Sequence, residues 1–305
     1  MILITEFMDD TAVGRLSAAH ATTYAPELAD AQVDIPAHMA GVQALIVRNR
    51  TQVTAALLDS APNLKCVGRL GVGLDNIDLD ACKARGVEVM PALGANTLSV
   101  AEYVVTNTLV LLRDAYQAQD AMFAGDWPRA ACSGREVGGR VMGLLGFGAN
   151  AQATADLARA MGMSIIAYDP FLPADHKAWA NATQGEIADV LAKADVVSLH
   201  VPLTEDTRHM INADTLAQMQ EGAVLINAAR GGVVDEAALV AAMASGHIAG
   251  AALDVFETEP LTQAAAEKFK TIKNLILTPH IAGVTQDSNV RVSALIADLV
   301  LDRLK

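Results

Sequence analysis

Short apolar runs rich in Val, Ile and Leu alternate along the chain with longer Ala-rich stretches of helical periodicity. Such alternation predicts parallel β-strands joined by crossover helices. Four strands are predicted in the first third of the chain, at residues 2–4, 44–47, 66–69 and 87–90. Six more are predicted farther on, at residues 141–145, 164–168, 196–200, 223–227, 249–253 and 275–278.

Two long helical patterns separate and close these groups of strands. Residues 99–116 contain no Gly or Pro, and we expect one long helix that bridges the two groups. A last helix is predicted at residues 288–304, and we expect it to pack back on the first group. The pattern therefore predicts an α/β fold with two doubly wound parallel-sheet lobes. Six strands in the second lobe is the number of a complete dinucleotide-binding sheet.

Length and composition agree with two packed cores. The chain has 305 residues, of which 52% are hydrophobic and 19% charged, and this excludes a disordered or fibrous protein. At about 150 residues per domain, two domains are expected. The longest uncharged helix-like stretch, residues 237–253, is shorter than the roughly 20 apolar residues that a membrane span needs, so we expect no transmembrane segment.

The charge balance limits the partners. The 22 Lys and Arg residues stand against 35 Asp and Glu residues, a net charge of −13, and such a surface repels nucleic acids and anionic lipids. An anionic substrate therefore requires a local group of arginines. Cys66, Cys82 and Cys132 suit neither a disulfide framework nor a metal site, and the first residues lack the basic region of a signal peptide. We expect a cytoplasmic protein that holds no metal ion.

A dinucleotide-binding pattern lies at the start of the second lobe. Gly146 and Gly148 leave a predicted strand and enter a predicted helix, where Ala151 is small enough for the helix to pack on the strand. The next strand ends in Asp169, whose carboxylate would accept hydrogen bonds from the adenosine ribose and repel a 2′-phosphate. No arginine follows Asp169, so the pattern predicts NAD rather than NADP.

Three later strands each end near a residue suited to chemistry. Arg230, Glu259 and His280 follow the predicted strands at 223–227, 249–253 and 275–278. Ligands of open α/β sheets bind at these carboxyl ends. A His with a carboxylate partner can move a hydroxyl proton near neutral pH, and an Arg can orient a carboxylate. Taken singly, each residue also fits a structural side chain, a turn acid or a surface ion pair.

Several ordered motifs make the chain similar to a known family. They are residues 47–51, 71–76, 96–102, 227–231, 254–260 and 279–283, together with residues 144–151, which we call the glycine loop. The likeness runs from residue 44 to 283. The sequence resembles the D-isomer-specific 2-hydroxyacid dehydrogenases, nearest to their phosphoglycerate dehydrogenase branch. The resemblance implies an NAD-binding Rossmann domain, residues 99–285, inserted in a flavodoxin-like substrate-binding domain formed by residues 1–98 and 286–305. It also implies a homodimer.

The resemblance implies roles for individual residues. Arg230, Glu259 and His280 would be catalytic, with His280 as the acid/base group, and the backbone amides of Val72 and Gly73 would hold the substrate carboxylate. The implied cofactor-binding residues are Gly146, Gly148, Ala149, Asn150, Ala151, Asp169, His200, Pro202, Thr207, Ala228, Arg230, Asp254, His280 and Gly283. Ala149 and Asn150 depart from the family, which usually has a basic and then an aliphatic residue there. The chain ends at Lys305, so we expect no regulatory C-terminal domain.

The expected substrate is a small D-2-hydroxy acid or its 2-oxo acid. Arg48, Asn49 and Arg50 follow a predicted strand and supply local positive charge, which favours a second anionic group at C3, as in 3-phosphoglycerate or 3-sulfolactate. Arg230 and His280 would contact the same substrate. Two surface arginines at a strand end are the alternative interpretation of Arg48 and Arg50.

Other functions remain open from the sequence. A glyoxylate or hydroxypyruvate reductase would share every predicted catalytic residue. Formate dehydrogenases have Gln at the position of Glu259, which argues against them. A corepressor-like scaffold that senses NAD and binds peptides is the alternative from another class. The sequence does not decide between phosphate and sulfonate at C3, nor does it give the direction of the reaction.

Overall fold

The computed structural model describes the backbone of residues 1–305 and every side chain except that of Gln117. The chain divides into two compact units. Unit 1 comprises Met1–Asn96 and Val284–Lys305, and unit 2 comprises Thr97–Gly283. Each unit contains one parallel β-sheet with helices between its strands, which confirms the predicted α/β class with two doubly wound lobes.

Unit 1 has a five-stranded parallel sheet. Its strands are β1 (Ile2–Ile4), β2 (Thr22–Tyr24), β3 (Ala44–Val47), β4 (Cys66–Arg69) and β5 (Glu88–Pro91). They lie in the order β2-β1-β3-β4-β5, which is the flavodoxin-like order. The pattern did not predict β2, because this edge strand is polar and half-buried. β5 lies one residue later than predicted and ends on Pro91, which an edge strand tolerates.

Unit 2 has seven parallel strands, not the six predicted. They are β6 (Val141–Leu145), β7 (Ser164–Tyr168), β8 (Thr183–Gln184), β9 (Val196–Leu199), β10 (Ala223–Asn227), β11 (Ile248–Leu253) and β12 (Leu275–Leu277). Their order is β12-β11-β10-β9-β6-β7-β8, the Rossmann order with a seventh strand added beyond β11. The missed strand is β8, which consists of two exposed polar residues and so lacks an apolar run.

The helices fill the connections between the strands. They are α1 (Asp10–Ala19), α2 (Ile35–His38), α3 (Ala55–Asp59), α4 (Leu79–Ala84), α5 (Thr97–Arg113), α6 (Gln119–Phe123), α7 (Ala149–Ala160), α8 (Ile187–Lys193), α9 (Ala213–Gln218), α10 (Glu236–Ala244), α11 (Gln263–Ala266) and α12 (Gln286–Leu304). Short 3₁₀ segments lie at Pro26–Ala29, Gln32–Asp34, Ala115–Ala118, Lys177–Asn181 and Glu267–Phe269. Within the described part of the chain, no helix has the length and apolar character that a membrane crossing requires.

The long helix α5 ends earlier than its sequence pattern predicts. Asp114 adopts a left-handed conformation with φ 51°, which terminates the helix after Arg113. The chain returns to this point at Arg135, whose N–H donates to the carbonyl of Leu112 at 2.6 Å. Gly134 lies so close to Arg113 that a Cβ there would be 2.2 Å from the Arg113 carbonyl oxygen. Residues 114–134 therefore form a long loop whose two ends are in contact, and we call it the 114–134 segment.

The last helix, α12, is part of unit 1. Thr285 caps it through a reciprocal pair of hydrogen bonds with Ser288. Its apolar face packs on β4 at Gly68, where a Cβ would lie 2.7 Å from Cγ2 of Ile296 and 3.2 Å from Cγ2 of Val300. Burial of this face completes the second apolar layer of the five-stranded sheet.

Candidate active site

The glycine loop between β6 and α7 requires glycine at its first position. Gly146 has φ +86°, and its N–H donates to the carbonyl of Tyr168 at 2.8 Å. A Cβ at Gly146 would lie 2.7 Å from the carbonyl oxygen of His200. Both the left-handed backbone and this close approach exclude a larger residue, so the tight turn expected of a dinucleotide-binding loop is present.

The start of α7 fits a pyrophosphate. Gly148 is the N-cap residue and supplies no side-chain hydrogen bond to the first turn, and a Cβ at this position would meet open space. Ala149 is exposed, whereas Ala151 is completely buried against the sheet. The first-turn amides and the helix dipole can therefore hold phosphate oxygens. Oδ1 of Asn150 accepts a hydrogen bond from Oγ1 of Thr97 at 2.9 Å, so this side chain ties α7 to the start of α5.

Asp169 lies at the end of β7 and is fixed beside the glycine loop. Its Oδ2 accepts from the N–H of Phe147 at 2.8 Å, and its Oδ1 accepts from the N–H of Phe171 at 2.9 Å. A carboxylate has further lone pairs for two ribose hydroxyls. Together with the glycine loop, this geometry fits an NAD molecule.

The other residues expected around the cofactor follow β9 and β10, which lie beside β6 in the sheet. His200 follows β9, and its Nε2 is 3.0 Å from Oγ of Ser198. Burial lowers the pKa of His200 to about 4, so its imidazole is neutral near pH 7. The Thr207 hydroxyl donates to the carbonyl of Pro202 at 2.6 Å, and Ala228 follows β10.

Glu259 and His280 form a hydrogen-bonded pair. Nδ1 of His280 lies 2.8 Å from Oε2 of Glu259, and Oε1 of Glu259 accepts from the N–H of Phe256 at 3.0 Å. Burial acts to raise the pKa of Glu259, but the hydrogen bonds from His280 and Phe256 and the charges of His280 and Arg230 lower it overall. The carboxylate is therefore ionised near neutral pH. Because an ionised carboxylate can only accept a hydrogen bond, Nδ1 of His280 carries the proton that it donates to Glu259. This arrangement leaves Nε2 of His280 as the atom suited to proton transfer.

Asp254 organises the loop that carries His280. Its carboxylate is buried, and it accepts from the Thr278 hydroxyl at 2.6 Å and from the N–H groups of Ile281 and Ala282, each at 2.8 Å. The N–H of His280 donates to the Asp254 carbonyl at 2.8 Å, and His280 itself has φ 55°. Asp254 thus fixes the loop on both sides of His280. These bonds also stabilise the left-handed backbone of His280, which is unfavourable for a residue other than glycine.

Arg230 lies in the loop after β10, which packs against the loop that carries Glu259. The Arg230 carbonyl accepts from Nδ2 of Asn227 at 3.0 Å, and one guanidinium nitrogen donates to the carbonyl of Ala229 at 2.6 Å. A Cβ at Gly231 would lie only 1.7 Å from the carbonyl oxygen of Phe256. Unit 2 therefore brings Arg230, Glu259 and His280 together. Gly283, also expected near the cofactor, is the last residue of this unit.

Unit 1 holds the residues expected to bind substrate. Arg48, Asn49 and Arg50 begin the loop after β3; Arg48 is half-buried and donates to Oδ1 of Asn289, whereas Arg50 is exposed and pairs with Asp30. We call residues 48–51 the arginine loop.

Val72 and Gly73 lie in the loop after β4. Val72 is exposed at the surface of unit 1. Farther along the same segment, Nδ2 of Asn76 donates to two carbonyls of the arginine loop, those of Thr51 at 2.6 Å and Arg48 at 3.3 Å. Hydrogen bonds within unit 1 therefore connect the segment that contains Val72 and Gly73 to the arginine loop.

Sequence reasoning missed several residues that build these loops. Arg69 ends β4, and its guanidinium lies where a Cβ of Gly71 would be, 1.6 Å from that position. Glu6, just after β1, is a buried acid, and Tyr103 of α5 has its hydroxyl 2.7 Å from that of Thr278. Burial raises the pKa of Tyr103 to about 12, so its hydroxyl stays protonated. The available signal was a charged residue at or near the end of an apolar strand: Arg69 is the last residue of β4, and Glu6 lies two residues after β1. The described residues contain no group of His, Cys, Asp and Glu side chains arranged to hold a metal ion.

Comparisons with known proteins identify the family. The model of the D-isomer specific 2-hydroxyacid dehydrogenase NAD binding domain matches residues 105–282. The chain is 51% identical over 300 residues to the (S)-sulfolactate dehydrogenase of Chromohalobacter salexigens, covering 98% of this chain and 96% of that relative. It is 39% identical over 262 residues to the D-3-phosphoglycerate dehydrogenase of Bacillus subtilis, covering 86% of this chain and 49% of that longer protein.

A solved structure shares the whole fold. The crystal structure of D-lactate dehydrogenase from Aquifex aeolicus, complexed with NAD and lactic acid, aligns with a TM-score of 0.85 and 28% identity, covering 98% of this chain and 94% of that one. The family, the NAD cofactor and the enzyme class expected from the sequence are confirmed. The chain belongs to the D-isomer specific 2-hydroxyacid dehydrogenase family, and it is an NAD-dependent oxidoreductase of 2-hydroxy acids.

Proposed function

We propose that the protein interconverts (S)-sulfolactate and the corresponding 2-oxo acid with NAD. The similarity to an (S)-sulfolactate dehydrogenase along nearly the whole chain supports a sulfonate rather than a phosphate at C3. The reaction is proposed to take place in the cytoplasm. Its reducing environment suits the free thiols of Cys66, Cys82 and Cys132.

The S label agrees with a D-specific enzyme. In sulfolactate the CH₂ group bears sulfur and outranks the carboxyl group in the sequence rules, whereas the CH₃ group of lactate ranks below the carboxyl group. The same spatial arrangement at C2 is therefore called S in sulfolactate and R in D-lactate. An enzyme built for D-2-hydroxy acids would thus accept (S)-sulfolactate without inverting its site.

The His280–Glu259 pair is the single observation that carries the proposed chemistry. Nε2 of His280 takes the proton of the C2 hydroxyl, and Glu259 stabilises the imidazolium that forms through Nδ1. NAD, when bound, accepts the hydride from C2, so a carbonyl replaces the alcohol. Arg230 orients the substrate and stabilises charge on the C2 oxygen. In the reverse direction, protonated His280 donates the proton.

In this proposal the two units have separate tasks. Unit 2, residues 97–283, binds NAD through the glycine loop, Asp169 and the residues after β9 and β10. Unit 1 binds the anionic ends of the substrate. The guanidinium groups of Arg48 and Arg50, with Asn49, receive the sulfonate, and the amides of Val72 and Gly73 receive the carboxylate.

A substrate panel tests the proposed specificity. We expect kcat/KM to be highest for (S)-sulfolactate among (S)-sulfolactate, 3-phosphoglycerate, hydroxypyruvate, D-glycerate and D-lactate, measured from NADH formation or consumption. Arg48→Ala and Arg50→Ala should raise KM for (S)-sulfolactate about tenfold and leave KM for D-glycerate within about twofold, since D-glycerate lacks the second anion. A preference for hydroxypyruvate over every acid with a second anion would instead indicate a reductase.

The chemistry is tested separately. His280→Ala should lower kcat by about 10²-fold or more on every substrate, because a positioned acid/base group contributes on that scale. NADH binding, followed by fluorescence, should persist. Turnover close to that of the unaltered enzyme would remove the assignment of His280.

We also propose that the enzyme is a homodimer formed through unit 2. The 114–134 segment carries Tyr116, Phe123 and Trp127, whose side chains are 71%, 80% and 75% exposed. Aromatic side chains grouped on one exposed segment are typical of a protein interface. This grouping supports a second copy of the chain as the partner.

A further inference from the structure

The backbone of the arginine loop is arranged around one buried carboxylate. Glu6 follows β1, which lies beside β3 in the sheet, and the residue is only 4% exposed. Its Oε1 accepts from the N–H groups of Arg48 at 2.8 Å and Thr51 at 2.9 Å. Both carboxylate oxygens lie 3.2 Å from the N–H of Arg50. Three amides of one short loop therefore converge on a single side chain.

The carbonyl groups of the same loop are held from another direction. Nδ2 of Asn76, a residue that is 8% exposed, donates to the carbonyl oxygens of Thr51 and Arg48. The hydroxyl groups of Thr5 and Thr51, both fully buried, are 2.9 Å apart. The loop is thus fixed by Glu6 on its amide side and by Asn76 on its carbonyl side.

This arrangement decides which groups of the loop are available to an anion. Convergent backbone amides are a common binding site for anions, but here the protein's own carboxylate occupies them. Recognition of a substrate anion by this loop therefore depends on its side chains, chiefly the charged ones of Arg48 and Arg50. Burial lowers the pKa of Arg48, and the charge of Glu6 opposes that shift and favours the guanidinium.

We propose that Glu6 is a positioning residue that determines selectivity for substrates with a second anionic group. It fixes the backbone at Arg48 and Arg50, and with that backbone fixed the two side chains start from defined contacts, with Asn289 and Asp30 respectively, and lose less conformational entropy when the anion replaces them. The inference rests on the proposed function, in which these arginines receive the group at C3.

Glu6→Gln tests the role of the carboxylate. The amide has the same size, but its NH₂ group would oppose the N–H of Arg50, and its neutral oxygen forms weaker bonds with the other amides. We expect KM for (S)-sulfolactate to rise about tenfold. We expect kcat, and KM for D-glycerate, to stay within about twofold, because neither depends on the arginine loop.

The direction of the change in KM for (S)-sulfolactate distinguishes a positioning role of Glu6 from a simple effect of its charge. Removal of a negative charge near Arg48 would by itself strengthen the binding of an anion and lower KM for (S)-sulfolactate. A lowered KM, an unchanged KM or an equal rise for both substrates would each overturn the proposal. Only a rise confined to the substrate with the second anion supports it.

Two further variants control for damage to the fold. Thr5→Val removes the buried hydrogen bond between the hydroxyls of Thr5 and Thr51 but none of the bonds of Glu6, so any selective rise in KM should be well below that of Glu6→Gln. A selective rise in Thr5→Val equal to that in Glu6→Gln would contradict the proposal. Should Glu6→Gln fail to fold, Asn76→Ala loosens the carbonyl side of the same loop and should give the same selective rise, whose absence would also contradict it.

A double variant separates this inference from the proposed function. If Glu6 acts through the arginines, Glu6→Gln should add nothing to KM in an Arg48→Ala, Arg50→Ala background, and additive effects would exclude that route. If the arginine variants change KM for (S)-sulfolactate while Glu6→Gln does not, the proposed function stands and the positioning role fails. If the arginine variants have no selective effect, the proposed function itself fails.

Discussion

At the scale of single residues, Glu259 is held on both of its oxygens. One accepts from the Phe256 amide and the other pairs with His280, and the carboxylate sits close enough to Arg230 for that charge to contribute to its lowered pKa. The hydrogen bond to Nδ1 fixes the tautomer of His280 as well as its orientation. An uncharged replacement would retain the size of Glu259 but would no longer stabilise an imidazolium.

We therefore expect Glu259→Gln to lower kcat by about 10²-fold. Because the pKa of Glu259 is below its ordinary value, the carboxylate is ionised throughout the neutral range, and the loss should appear at every pH tested there. Steady-state rates of oxidation check this. Glu257→Gln is the matched control, since Glu257 is in the same loop but accepts from His209 instead. A comparable loss in that variant would attribute the effect to the loop rather than to the pair.

His200 links pH to stability. Its folded pKa of about 4 is below the ordinary value near 6.5, so between these values the unfolded chain binds a proton that the folded chain does not. The free energy of unfolding should therefore fall as pH decreases from about 6.5 to about 4. Urea unfolding at several pH values measures this slope, and His200→Asn should reduce it. An equal slope in the variant would show that other groups cause it.

At the scale of elements, the strand ends were predictable because parallel strands place their carboxyl ends on one edge of a sheet. This rule, applied to apolar runs, was enough to group Arg230, Glu259 and His280. It could not find β8, because Thr183 and Gln184 form a strand without an apolar run. It also gave no partner for Glu6, whose carboxylate accepts from backbone N–H groups of a loop 42 to 45 residues farther along the chain.

The packing of two loops on each other predicts the behaviour of Gly231. A Cβ there would lie inside the backbone of Phe256, so the loops that carry Arg230 and Glu259 would have to separate. We expect Gly231→Ala to lower kcat more than tenfold and to reduce thermal stability, as judged by rates and by thermal unfolding.

Gly14→Ala is the control for this change. Gly14 lies within α1, and a Cβ there would meet no atom within 4 Å. This substitution should leave kcat unchanged and stabilise the helix by about 0.5–1 kcal/mol. If Gly231→Ala behaves like Gly14→Ala, the close approach of the two loops is not required for catalysis.

At the scale of the whole molecule, the oligomeric state gives a direct test of the 114–134 segment. The double substitution Phe123→Ser and Trp127→Ser removes two exposed aromatic side chains from it and should convert a dimer into a monomer in sedimentation experiments. Phe171→Ser is the matched control, since Phe171 is 90% exposed but lies outside the segment. A dimer that survives the double substitution would place the interface elsewhere.

The sequence pattern also predicted most of the architecture of each unit, because long apolar runs and a glycine loop are local signals. The 114–134 segment had no such signal. It depends on the left-handed backbone of Asp114 and on the fit of Gly134 against Arg113, which only the folded chain brings together. Contacts between distant segments were therefore the part that sequence reasoning could not supply.

The return of the chain to unit 1 has a consequence for the newborn polypeptide. Gly68 in β4 is covered by Ile296 and Val300 of α12, a helix that leaves the ribosome only after the whole of unit 2. The continuous stretch from Thr97 to Gly283 is fully synthesised before that helix exists. During translation, the apolar face of the unit 1 sheet that α12 covers therefore stays exposed to solvent until this helix is synthesised. Exposed apolar surface of this kind promotes aggregation, so this face is where a chaperone would bind.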